Sequence, residues 1–125
     1  MPGISIHVVD VSRGVVASGM KVELYAVGGG GDCRLVASGA VSGSGVLADD
    51  ALSRRFDPGY YEARFHIADF YRAATGAAAA VPFLDVACYR FGIADPDAHY
   101  HDEVHPMGIL LLPRRCLSGQ TWRTW

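Results

Sequence analysis

A chain of 125 residues, half of them hydrophobic and 19% charged, has room for one domain with its own core and is too apolar to stay unfolded. Its formal charge of -2 provides no concentrated positive face for phosphate backbones or acidic lipid headgroups, and no apolar run reaches the roughly 20 residues of a membrane span. Nucleic acid and membrane are therefore disfavoured as partners, and one domain is expected over residues 1–125.

The chain enters a strand pattern without the basic and apolar segments of a secretion signal, which predicts a cytoplasmic protein. Cys33, Cys88 and Cys116 are odd in number and form no C-x-x-C pair, so reduced thiols are expected. From Ile4 to Val11, Ile4, Ile6 and Val8 share one strand face, and Ser5, His7 and Val9 the other. His7 is thus expected on an outer sheet face, opposite the core. Ser12-Arg13-Gly14 reads as a turn. A second strand follows over Met20 to Val27, a third over Arg34 to Ala40, and a short fourth around Val46 and Leu47 behind the turn Ser42-Gly43-Ser44-Gly45.

Asp57-Pro58-Gly59 predicts a further turn and Tyr60 to Ile67 a strand with aromatic alternation. Ala68 to Ala74 is the one expected helix. Residues 77–80 are expected to be connection, since Pro82 closes that stretch. Leu84 to Ile93 reads as a strand and Ala94-Asp95-Pro96-Asp97 as a turn. His99, His101 and His105 then fall in an expected loop, and Ile109 to Leu112 and Leu117 to Arg123 form a last strand pair separated by Pro113-Arg114-Arg115. Short strands with turns this frequent predict an all-β sandwich or barrel.

Several of these segments occur in the order of one family. Ile4-Ser5-Ile6-His7-Val8-Val9-Asp10, Gly59-Tyr60-Tyr61-Glu62-Ala63-Arg64-Phe65, Asp69-Phe70-Tyr71, Pro82-Phe83-Leu84, Asp95-Pro96-Asp97-Ala98-His99-Tyr100-His101 and Leu110-Leu111-Leu112-Pro113 together resemble the transthyretin-like 5-hydroxyisourate hydrolases of urate breakdown. The resemblance implies a transthyretin-like (prealbumin-like) β-sandwich of seven to eight strands with one short helix. It also implies a homotetramer with sites at the dimer–dimer interface, a small-molecule substrate, a place in purine metabolism and no cofactor.

By the same resemblance His7 and His101 are the catalytic histidines, with His105 a further candidate and Arg123 the catalytic arginine of the tail. Ser5, Trp122, Thr124 and Trp125 are the expected substrate-binding residues. The departures are specific. Val46 stands in Ser44-Gly45-Val46 where the family has an arginine, Asp102 to Ile109 lengthen the segment after His101, and Thr121-Trp122-Arg123-Thr124-Trp125 replaces Thr-Tyr-Arg-Gly-Ser. Arg54, Arg55, Arg114 and Arg115 are candidate replacements for the missing cation, and nothing in the sequence places them.

Ring opening by water needs a base active near neutral pH, which imidazole supplies, and donors where oxyanion charge develops. In this reading His7 takes a proton from water, His101 or His105 assists, and Arg123 orients the carbonyl-rich ring through paired N–H donors. His99, His101 and His105 with Asp102 and Glu103 are also ligand types for zinc, but their spacing is weakly specific and no metal is expected. His66 reads as structural. Cys116 and Ser118 lack the motif of an activated nucleophile. Two alternatives stand beside the hydrolase: a repurposed relative performing another acid/base step such as a cyclisation, and a binder without catalysis.

Overall fold

The structure is a computed structural model that describes residues 3–10, 14–47, 49–75, 81, 82, 84–105, 110–117 and 121–124, with side chains through residue 100 except at 74 and 75. In chain order the strands are β1 (Gly3–Asp10), β2 (Val15–Val16), β3 (Lys21–Val27), β4 (Cys33–Ala40), β5 (Gly59–His66), β6 (Val86–Ile93), β7 (His99–His105), β8 (Leu110–Leu117) and β9 (Thr121–Thr124). One helix, α1 (Ile67–Thr75), follows β5, and a 3-10 turn spans Asp50–Ser53.

The strands form a five-stranded sheet in the order β2-β1-β7-β8-β9 and a four-stranded sheet in the order β4-β3-β5-β6. The alternation in β1 buries Ile4, Ile6 and Val8, while Val22 and Leu24 of β3 and Ala63 and Phe65 of β5 bury the matching face of the second sheet. Helix α1 contributes Ile67 and Phe70 to the same core, and Arg72 closes an exposed pair with Asp69 at 3.1 Å. The result is the β-sandwich with one short helix that the sequence predicts. No helix among the described residues is long and apolar enough to cross a membrane.

The later elements differ from expectation. His99 to His105 is not a loop but strand β7, parallel to β1 from Gly3↔His99 to Val8↔Val104. This pairing joins residues 96 positions apart, and local patterning carries no trace of so distant a partner. Pro113-Arg114-Arg115 is likewise strand, inside β8, where Pro113 pairs with Asp102. Among the described residues β9 pairs with β8 from Arg114 to Leu117.

Val46 and Leu47 form isolated bridges rather than a strand, to His7 and Val41 respectively. Ser12, Arg13 and residues 77–80 lie outside the described residues.

Candidate functional site

His7 is fixed by backbone on both sides. On one side the segment after β4 turns back along β1: the Val8 N–H donates to the Gly45 carbonyl at 2.8 Å, the Leu47 N–H donates to the Ile6 carbonyl at 3.0 Å, and Val46 is the bridge partner of His7. On the other side β7 runs parallel, with Ser5 opposite His101 and His7 opposite Glu103. Residues paired in register share a sheet face, and the face alternates along each strand.

The buried set Ile4, Ile6 and Val8 marks the core face, so Ser5 and His7 lie on the outer face of the five-stranded sheet. A hydrogen bond between Ser5 Oγ and His99 Nε2 links β1 to β7 on that face.

The pairing of β7 with β8 and of β8 with β9 extends three rows across the outer face. The first runs from Val46 through His7 and Glu103 to Leu112, the second from Ser5 through His101 and Arg114 to Thr124, and the third from Gly3 through His99 and Cys116 to Trp122. His101 and His105 both stand diagonal to His7, about 8 Å away by strand spacing and rise. Their rows differ: His105 pairs with Leu110, whereas His101 shares its row with Ser5, Arg114 and Thr124.

Arg123 pairs with Arg115 in the alternate row, that of Ile4 and Tyr100, whose side chains are in the core. Trp125 and Ser118 lie outside the described residues.

A glycine forms the wall beside His7. Gly45 has φ +87°, and a Cβ added there would stand 2.7 Å from His7 Nε2 and 2.8 Å from Val16 Cγ1. The turn can therefore approach the imidazole only because residue 45 has no side chain. The Ser-Gly-Ser-Gly pattern signals the turn in the sequence, but not the ring packed against it. Val46, beside His7 on the outer face, is 38% exposed and presents apolar surface there.

Two of the other arginines are engaged elsewhere. Arg54 lies over the Phe56 ring at 4.7 Å, and Arg55 Nε donates to Asp97 Oδ1 at 2.9 Å on the exposed surface. His66 belongs to the other sheet, where its Nε2 lies 2.5 Å from Glu23 Oε1 and Tyr25 donates to the same carboxylate at 2.9 Å. The hydrogen bond to His66 and, more weakly, that from Tyr25 hold the Glu23 carboxyl below its ordinary value. A neighbouring carboxylate, Glu62, accepts from Arg64 at 2.7 Å and from Arg90 at 3.1 Å, and those donors lower its pKa as well.

An open cleft of about 300 Å³ borders His66 and is lined by Ser18, Lys21, Asp69 and Phe70; no residue of the His7 face lines it. Cys33 and Cys88 are exposed and unbridged. No group of at least three His, Cys, Asp or Glu side chains suited to a metal occurs among the described residues.

Against known proteins, the profile of the HIUase/Transthyretin family matches residues 4–106. The 5-hydroxyisourate hydrolase of Deinococcus radiodurans is 41% identical over 102 residues, covering 80% of this chain and 83% of that protein. The protein of the same name from Pseudomonas aeruginosa is 36% identical over 102 residues, covering 81% and 80%. Among solved structures, a crystal structure of (S)-allantoin synthase superposes with a TM-score of 0.75 at 28% identity, covering 92% of this chain and 43% of that longer one.

Proposed function

The chain belongs to the HIUase/Transthyretin family, and from that premise we propose that it opens the ring of 5-hydroxyisourate by hydrolysis in purine breakdown. The observation that carries this reading is the outer sheet face on which β1 and β7 set Ser5, His7 and His101 in neighbouring rows. His7 accepts a proton from the attacking water, whose oxygen bonds to a ring carbonyl carbon. The carbon–nitrogen bond breaks, the electron pair stays on nitrogen, and His101 supplies the proton that nitrogen takes up. One water is consumed and no cofactor is required.

His101 is favoured over His105 as partner because its row is polar where that of His105 continues into leucine. Ser5, Trp122 and Thr124 stand at outer-face positions and bind the substrate. The open face with its apolar Val46 suits coverage by a second copy, in a cytoplasmic homotetramer with sites at the dimer–dimer interface.

One observation supports a second reading. The bridge partner of His7 is apolar Val46, so the register position beside the base on that side is not a cation. The same histidine pair could then serve another acid/base step on a related cyclic amide, a reading the likeness to (S)-allantoin synthase also supports.

Urate oxidase generates 5-hydroxyisourate in the cuvette, and its absorbance decay tests the choice. Acceleration by the protein, reduced about 10²-fold or more in His7→Ala, is the expected result. Decay at the uncatalysed rate would remove the hydrolase.

A further inference from the structure

The outer face has a simple charge pattern. Its positions in β1, β2, β7, β8 and β9 bring together Ser5, His7, Val9, Val16, His99, His101, Glu103 and the β8–β9 rows. Among these described register positions there is one lysine or arginine: Arg114, opposite His101 on β8 and in the row of Ser5. Arg115 and Arg123 pair with each other in the alternate row, and Arg54 and Arg55 are engaged with Phe56 and Asp97. Among the described register positions of this face, where His7 is flanked by Val46 and Glu103, Arg114 is the one permanently charged cation for a ring that becomes more anionic as water adds.

We propose that Arg114 is the substrate-binding cation of this site, recognising a planar, carbonyl-rich anion. The inference rests on the proposed hydrolase reading for its substrate but not for its geometry, which is the juxtaposition of Arg114, His101 and Ser5 in one row. A guanidinium suits such a ligand because its fixed fork of donors matches two neighbouring acceptors, which an ammonium cannot do. Arg114 also lies diagonal to Glu103 across β7 and β8, so a purely structural cross-strand ion pair is the competing role.

The test uses the full-length protein and two readouts: turnover of 5-hydroxyisourate, and calorimetric binding of urate, a planar anion of the same ring class that is not turned over. Arg114→Ala should lower kcat/KM by about 10²- to 10³-fold and weaken urate binding, while Arg114→Lys loses less. Arg123→Ala should leave urate binding within a factor of two. In the Arg114→Ala background, Val46→Arg returns a guanidinium beside His7 and should recover part of the lost turnover. Glu103→Gln should leave urate binding intact, whereas an ion-pair role would make it mimic Arg114→Ala.

Thermal denaturation identifies any variant that fails to fold, and Arg114→Lys then carries the comparison. Unchanged urate binding and turnover in Arg114→Ala, or an equal loss in Arg123→Ala, overturns the proposal. If the wild type binds urate through Arg114 yet leaves 5-hydroxyisourate untouched, the hydrolase reading fails and the proposal stands. If turnover is normal and indifferent to Arg114, the reverse holds. If the wild type does neither, both fall.

Discussion

Gly45→Ala tests whether the turn behind His7 controls the site. The added methyl would lie 2.7 Å from His7 Nε2, short of the 3.4 Å at which ordinary contact begins, so the imidazole or the turn must retreat by roughly 0.7 Å. The backbone adds a second cost, because φ +87° is a conformation that L side chains rarely adopt and that costs about 1–2 kcal/mol. If the turn gives way, the 2.8 Å bond from the Val8 N–H to the Gly45 carbonyl weakens, at about 0.5–1.5 kcal/mol. A stability loss of about 2–3 kcal/mol is expected. A displacement of this size at a reacting group can also lower turnover by one to two orders of magnitude.

Gly31→Ala separates the two effects. Gly31 has nearly the same φ, +86°, and nothing within 4 Å of an added Cβ. It should lose stability through backbone strain alone and keep its turnover. Urea denaturation gives the stabilities and 5-hydroxyisourate decay the rates. Equal kcat in Gly45→Ala and Gly31→Ala would refute the contact between the turn and His7 as a determinant of activity.

Two further changes probe the sheets. Glu62→Gln removes a carboxylate held below its ordinary pKa first by Arg64 and then by Arg90. A depressed folded pKa stabilises above the unfolded value, near 4.5, and that stabilisation is lost as pH falls through the lower folded value. The variant should therefore be less stable than the wild type by about 1–3 kcal/mol at neutral pH, and the gap should narrow on acidification below 4.5; a gap independent of pH would contradict the assignment. Ser5→Ala removes the hydrogen bond to His99 Nε2 that ties β1 to β7. It should cost about 1 kcal/mol and raise KM, and an unchanged KM would place that bond outside the substrate site.

How much of this was legible in the sequence depends on the range of the interaction. The burial of Ile4, Ile6 and Val8 with His7 opposite follows from period-two alternation within eight residues, and β5 and α1 follow from equally local signals. Strand β7 does not, because its residues His99, His101, Asp102, Glu103 and His105 are polar and its partner β1 lies at the other end of the chain. Gly45 was readable as a turn but not as the wall of the His7 site.

The tail illustrates the limit most sharply. Resemblance selects Arg123 by its place in a motif, whereas the β7–β8–β9 register sets Arg114 and Thr124 in the row of His101 and Arg115 with Arg123 in the row of Tyr100. A one-residue shift exchanges the faces of an entire strand. With adjacent arginines at 114 and 115, either is compatible with an outer-face cation until the pairing of Pro113 with Asp102 is known. Which arginine shares the row of His101 is therefore set by register, which no single-strand pattern contains.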